Sequence, residues 1–346
     1  MVVLDKFLLH SALLIIIFAY ILDLLLGDPK WLPHPVRLIG RYITFLEDKI
    51  KRFTKTPLSE KSGGIFLFII VVGSVYGLTG GFLYIAHLTS YILYLLLAVF
   101  LAYTTLSIKS LHQEAYSVIH ALKKITPLHP PLLKGGTGGL GIDAARKRLS
   151  NIVGRDTQNL SEEEIYRAVV ETVAENTSDG IIAPLFYLAV GGPALALVYK
   201  AVNTLDSMVG YKNERHKNFG WFSARMDDIA NFIPARLTSI LIVAASFILR
   251  FNWKDSLKII WRNARNHPSP NAGYPESAVA GALGIQLGGT NYYFGAPHKR
   301  PLIGDKNNEF TIKSVKDTVK IMHLTAFLDV ILLSGFWLIF DLCTQK

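Results

Sequence analysis

Four stretches of this chain are each long and apolar enough to approach or complete a bilayer crossing, and they constrain the fold more than any other feature. They are FLLHSALLIIIFAYILDLLL (7–26), IFLFIIVVGSVYGLTGGFLYIAHL (65–88), YILYLLLAVFLAYTTLSI (91–108) and HLTAFLDVILLSGFWLIFDL (323–342). A helix needs about 20 such residues to cross the hydrocarbon. Backbone inside lipid must satisfy its own hydrogen bonds, so runs like these predict helices. Gly73, Gly77 and Gly81 repeat every four residues in the second stretch, a small-residue spacing that suits close helix packing. Asp329, inside the fourth, is predicted to face protein or water rather than lipid.

Two further apolar segments are ambiguous. Residues 181–202 are interrupted by Pro184 and by Gly191-Gly192-Pro193, and residues 232–251 carry Pro234 and Arg236 near their start. Both read as broken or partly inserted helices, since irregular backbone at depth is tolerated where protein or water covers it. An even number of crossings is expected between 180 and 252. The fold expected is all-α: a polytopic integral membrane protein forming one helical membrane domain over 1–346, with helical polar loops at 27–63, 109–180, 203–231 and 252–320. These loops are rich in Lys and Arg, which predicts a cytoplasmic position in a multi-pass cell-membrane protein.

Composition narrows the function. Only 18% of residues are charged, against about 25% in an average soluble domain. The formal charge of +10 fits cytoplasmic loops or attraction to phosphorylated and carboxylated substrates. No nucleic-acid-binding motif accompanies it, so nucleic acid is not an expected partner. Cys343 is the sole cysteine, which excludes a disulfide framework and Cys-based metal centres. The first apolar stretch lacks a basic leader and a small-residue cleavage site, and is read as a retained span.

The polar loops carry the chemistry. In ETVAENTSDG (171–180), Glu171, Glu175 and Asp179 recur every four residues, with Thr172 and Asn176 beside them. On a helix they stack on one face, where like charges repel by roughly 0.2–0.5 kcal/mol per pair. Ser161 and Glu164 form a capping-box signature for that helix, and Ile165, Ala168, Val169, Thr172 and Val173 mark its apolar side. A solvated face is the bland alternative. Asp179 at the negative end of the helix dipole argues for a compensating cation, and oxygen ligands alone suit Mg²⁺. A second cluster follows in 200–237, with Asn203, Asp206, Lys212, Asn213, Arg215, His216, Arg225, Asp227 and Asp228. Carboxylates that hold an ion beside cations that neutralise phosphate are what a metal–phosphate site needs; juxtamembrane charge is the alternative. A third, GDPKWLPHPVRLIGR, sets Asp28, His34, Arg37 and Arg41 around a proline-stiffened turn; Arg37 and Arg41, a helical turn apart, suit a clamp on a phosphate or carboxylate, and a membrane-interface loop anchored by Trp31 is the alternative. A fourth begins at His267 and contains Asn271 and Glu276 ahead of a small-residue helix with Gly281 and Gly284, where helix packing and ligand contact are equally open. GTGGLG (136–141) lacks the spacing of a phosphate loop.

Five ordered blocks, GDPKWLPHPVRLIG, LSNIVGRDT, ETVAENTSDGIIAPLFY, YKAVNTLDSMVGYKNERHKNFGWFSARMDD and SPNAGYPESAVAGALGIQLGG, resemble the CobD/CbiB family over nearly the whole chain. GTGGLG departs from that pattern. The resemblance implies an adenosylcobinamide-phosphate synthase. Such an enzyme joins the adenosylcorrinoid adenosylcobyric acid to (R)-1-amino-2-propanol, or its O-phosphate, with ATP and Mg²⁺. It implies catalytic roles for Glu171, Glu175, Asp206, Lys212 and His216, with His216 or a carboxylate as base. Metal contacts fall to Glu175, Asp179, Asp206, Asp227 and Asp228. Substrate contacts fall to Asp28, His34, Arg37, Asn176, Asn203, Asn213, Arg215, Arg225, Asn271 and Glu276. Phe219, Trp221 and Tyr274 offer aromatic surface to the corrin. The lipid bilayer and neighbouring cobalamin-assembly enzymes are the implied partners. Two other readings remain open here: a non-catalytic AmpE-like membrane regulator and a corrinoid transporter.

Overall fold

A computed structural model describes residues 2–29, 31–123, 138–210, 215–293 and 295–344. The chain divides into two compact units. The first comprises residues 1–109, 179–234 and 327–346, and the second comprises 110–178 and 235–326.

The first unit contains α1 (Val2–Leu26), α2 (Pro35–Lys51), α3 (Pro57–Thr89), α4 (Tyr91–Tyr103), α8 (Ala183–Val209) and α9 (Trp221–Ala230). Its core follows from residues four apart. Ile39 and Ile43 on α2, Leu67, Val71 and Val75 on α3, and Leu197, Ala201, Leu205 and Val209 on α8 form one buried cluster with Phe219. That spacing puts them on one face of each helix. The opposite side of α3 presents Phe66, Ile69, Leu78, Phe82, Ile85 and Leu88, all exposed, as lipid-facing surface requires. Asp23, wholly buried on α1, accepts hydrogen bonds from the Ile108 and Lys109 amides at 2.8 and 3.2 Å. It therefore caps the first turn of α5 (Ile108–Lys123).

The glycine stripe predicted to pack helices does not do so among the described residues: a Cβ built at Gly73, Gly77 or Gly81 meets none of them within 4 Å. The close approach on α3 comes earlier, at Gly64, where a Cβ would lie 1.8 Å from the Phe219 carbonyl oxygen. The chain bends inside α8 as its sequence predicts, with Gly192 at φ +67° ahead of Pro193.

The second unit contains α6 (Gly138–Leu149), α7 (Glu162–Thr177), most of α10 (Phe232–Ile248), α11 (Trp253–Asn263) and α12 (Gly273–Leu283). It also holds a hairpin, β1 (Leu287–Tyr293) with β2 (Ala296–Ile303), and the first part of α13 (Ile312–Thr344). The hairpin lies inside a loop expected to be helical and is a departure from an otherwise helical chain. The reciprocal Ser161–Glu164 capping box opens α7. Gly281 is where α12 meets α11, because a Cβ there would lie 2.4 Å from the Asp255 carbonyl oxygen. Gly284 caps α12 in the left-handed region. Both glycines are thus accounted for by backbone packing. The α6 helix begins at Gly138, so the later part of GTGGLG is helical rather than a phosphate-cradling loop; Gly136 and Thr137 lie outside the described residues.

Among the described residues, four helical stretches are long and apolar enough to cross a bilayer: Pro57–Thr89, Tyr91–Lys123, Glu162–Val209 and Ile312–Phe340. The pair α9–α10, bent by 44°, makes a fifth if it counts as one span. The chain is a multi-pass membrane protein.

Candidate active site

A polar cavity of about 120 Å³ lies in the second unit. Gly154 and Arg155 from the turn after α6, Glu171, Glu175 and Asn176 from α7, and Arg300 from β2 line it. Local backbone chemistry explains why these groups meet. The hairpin register slips between Leu287 and Gly289, and Gly288 and Gly289 sit at φ +87° and +88°. A Cβ at Gly288 would strike the Pro301 carbonyl oxygen at 2.2 Å, so this bulge requires glycine. It aims the Gly288 amide at Glu171 Oε1, 3.0 Å away, while the Gly288 carbonyl accepts from Arg167.

Glu171 is 2% exposed. Arg155 grips its Oε2 and donates to Asn291 Oδ1 at 2.6 Å; Arg300 Nη1 stands 4.0 Å from the same Oε2. Arg300 also donates to Glu276 Oε1 at 3.2 Å and contacts His267. Arg300 can only donate, so His267 Nε2 accepts from it and the ring proton falls to Nδ1, which donates to the Ser269 carbonyl at 3.1 Å; Nε2 stands 3.7 Å from Glu276 Oε1. Burial pushes the Glu276 carboxyl up to about 8, against the pull of Arg300 and with help from Glu171 and Glu175. Burial, reinforced by Arg300, pushes His267 down to about 4. Arg300 itself is held above its ordinary value: burial opposes its charge, but Glu276, Glu171 and Glu175 outweigh that. The second oxygen of Glu276 and the amide nitrogen of Asn291 are buried without a partner among the described residues, an arrangement normally resolved by water or ligand.

Glu175 differs from its neighbours. It is half-buried, lines the cavity, and its carboxylate makes no hydrogen bond or ion pair with a described residue. Asn176 lines the same wall, with its amide returned to the Thr172 carbonyl at 3.0 Å. The third member of the predicted stripe, Asp179, belongs to the first unit; the intervening turn, Ser178–Ile182, is π-helical and breaks the four-residue repeat.

In the first unit, Tyr199 donates to the Asp179 carbonyl at 3.1 Å and to Asn231 Oδ1 at 2.8 Å. Asp227 accepts from Asn231 at 3.0 Å and from Asn203 at 3.3 Å. Asp28 accepts from His34 Nε2 at 3.0 Å, and Arg37 donates to the Pro29 carbonyl at 3.1 Å. Lys200, which sequence reading passed over, stands among the carboxylates of Asp179, Asp28 and Asp227 and feels all three charges. Asp206 is half-buried on α8, and its carbonyl accepts the Gly210 amide at 2.7 Å. Asp228 is half-buried and Arg225 exposed on α9.

Several expected roles change. His216 commits Nε2 to buried Glu47 at 2.9 Å, and Arg215 reaches the same oxygen at 3.3 Å. Burial would raise the Glu47 carboxyl, but Lys51 and His216 outweigh it and hold it below its ordinary value. The pattern is that of a strut fixing the loop to α2. Phe219 is 0% exposed and belongs to the core, so it offers no corrin surface. One face of Tyr274 is taken by the Arg236 guanidinium, 4.2 Å from the ring centre, and Arg236 also donates to Asn271 at 3.1 Å. Lys212 and Asn213 lie outside the described residues. Among the described residues no three His, Cys, Asp or Glu side chains are grouped to hold a metal ion. A Mg²⁺ that arrives with a polyphosphate keeps waters and takes one or two carboxylates, and Glu175 is the cavity carboxylate left without a partner among the described residues.

Comparison with known proteins agrees with the layout of these motifs. The model of the family described as CobD/Cbib protein matches residues 16–322. "Cobalamin biosynthesis protein CobD" of Clostridium perfringens is 48% identical over 316 residues, covering 91% of this chain and 95% of that protein. A protein of the same name from Listeria monocytogenes is 45% identical, covering 93% and 97%. "Cobalamin biosynthesis protein CbiB" of Salmonella arizonae is 44% identical, covering 88% and 91%. No solved structure matches the chain.

Proposed function

The chain belongs to the CobD/CbiB family, and from that premise we propose that it acts in cobalamin biosynthesis as an ATP-dependent amide ligase. The reaction joins adenosylcobyric acid to (R)-1-amino-2-propanol or its O-phosphate at the cytoplasmic face of the cell membrane. One observation carries the reading. Three sequence blocks, LSNIVGRDT, ETVAENTSDG and SPNAGYPES, meet around one cavity through Arg155, Glu171, Glu175 and, by way of Arg300, Glu276.

In this proposal the corrinoid carboxylate oxygen attacks the γ-phosphorus of ATP and ADP leaves. The amine nitrogen then attacks the acyl carbon, and phosphate departs with the carboxylate oxygen. Arg155 and Arg300 stabilise the anionic groups, and Glu175 takes a proton from the ammonium. Glu276 and His267 position Arg300. Mg²⁺ would contact Glu175 and reduce the charge of the transferring phosphate.

Purified protein given ATP, adenosylcobyric acid and each amine form, followed by mass spectrometry, tests this. ATP consumption should depend on both organic substrates, and hydroxylamine should trap a corrinoid hydroxamate. Oxygen label in the carboxylate should pass to phosphate, and label that stays put would exclude the acyl-phosphate route. ATP use dependent on neither substrate would leave a non-catalytic regulator. Corrinoid uptake without amide formation would leave a transporter.

A further inference from the structure

We propose that the cavity at the amino-terminal end of α2 is a phosphate-binding subsite with Lys200 as its principal cation. It lies wholly within the first unit, has a volume of about 210 Å³, and is lined by Asp28, His34, Arg37, Thr104, Ser107 and Lys200 together with Val36.

Four features give it anion chemistry. First, α2 is a 17-residue helix whose N-cap, His34, makes no side-chain cap bond, and its first turn has no acidic residue. Pro35 has no N–H, and the Arg37 and Leu38 amides turn back to the His34 carbonyl at 3.0 and 3.2 Å. The Val36 amide is left without an acceptor among the described residues, at the positive end of the helix dipole. Second, Lys200 is half-buried yet its ammonium makes no hydrogen bond or salt bridge with a described residue; the Asp179, Asp28 and Asp227 carboxylates act on it only at longer range. A lysine on an apolar membrane helix costs stability unless something meets its charge. Third, the cavity wall sets Lys200 and Arg37 against a single carboxylate, Asp28, which accepts from His34; the charges of Asp179 and Asp227 also act on Lys200 from outside that wall. Fourth, the Ser107 hydroxyl has no partner among the described residues, while Thr104 already donates to the Leu101 carbonyl at 2.8 Å.

An ammonium, a guanidinium, an orphan helix amide and a hydroxyl surround a space too large for a single water or halide. Donors from α2, α8 and the α4–α5 link suit the tetrahedral oxygens of a phosphate group. The subsite rests on the ligase reading only for the source of that phosphate, which is ATP or a phosphorylated amine.

The test is calorimetric titration of the full-length protein in detergent with inorganic phosphate, ATP and O-phosphorylated aminopropanol. Lys200→Met should weaken binding of the phosphate-bearing ligand by about 10- to 100-fold. Lys200→Arg should restore most of it, and Lys306→Met, at an exposed lysine outside the site, should change nothing. The ligand whose affinity falls identifies the source. Equal affinity of wild type and Lys200→Met for all three overturns the subsite. If Lys200→Met does not fold, Ser107→Ala decides: a several-fold loss supports the subsite, and unchanged affinity overturns it. Lys200-dependent phosphate binding without amide formation would sink the ligase reading alone. Amide formation with unaltered KM for every phosphate-bearing reactant in Lys200→Met would sink the subsite alone.

Discussion

Replacing Arg155 with methionine tests whether the buried charge network organises the second unit. Arg155 is 8% exposed and binds Glu171 Oε2 and Asn291 Oδ1, the latter at 2.6 Å. Removing one partner of a buried ion pair costs about 3–5 kcal/mol, because the other charge stays behind. Here Glu171 keeps the Gly288 amide at 3.0 Å and Arg300 at 4.0 Å, so the lower end, about 3 kcal/mol, is expected. The Arg262–Asp305 pair supplies the comparison: both side chains are more than 40% exposed, so solvent screens the pair and Arg262→Ala should cost far less. Adding Glu171→Gln to Arg155→Met removes the stranded charge and should recover part of the loss. Intrinsic-fluorescence denaturation of the purified protein, run on the single and double variants, measures each value. An Arg155→Met loss no larger than that of Arg262→Ala, or strictly additive single and double variants, would refute the reasoning.

Glu276 makes stability depend on pH. Its carboxyl is raised from 4.5 to about 8 in the fold, so the folded chain holds a proton that the unfolded chain has released between those values. Its contribution is fully present below about 4.5 and is lost as pH rises through about 8. The stability of wild type relative to Glu276→Gln should therefore fall across that window, and a flat difference in melting temperature would contradict it. Gly64→Ala should destabilise by roughly 1–3 kcal/mol through overpacking against the Phe219 backbone, read as a lowered melting temperature. Gly73→Ala, in open space on the same helix, should gain up to about 1 kcal/mol in the same assay. Glu175→Gln should lower kcat at least about tenfold without lowering the melting temperature, since the carboxylate has no partner among the described residues to lose; equal losses of turnover and stability would make Glu175 structural.

Residues with a local reason to be where they are were legible in the sequence. Apolar runs near the length of a bilayer crossing gave helices, Ser161 and Glu164 gave the start of α7, and Gly191-Gly192-Pro193 gave the break in α8. The ordered motif blocks gave the family. Lys200 was readable in principle, as a lone lysine in an apolar segment, but its spacing from Asp28 and Asp227 carries no local signal. The turn holding Arg155 lay inside a recognised block, yet nothing nearby distinguished that arginine from the basic helix before it.

The sequence by itself determined that the chain is helical, membrane-embedded and a member of this family, because hydrophobic length and capping act over a few neighbouring residues. Tertiary structure alone decided that Arg300, on an unforeseen hairpin, meets Glu171 and Glu276, that Glu171 is held by Arg155 while the Glu175 carboxylate has no partner among the described residues, and that His216 braces Glu47. Those pairings join segments far apart along the chain. Which charges neutralise one another there depends on how the backbone brings them together, and no periodicity in the residues encodes it.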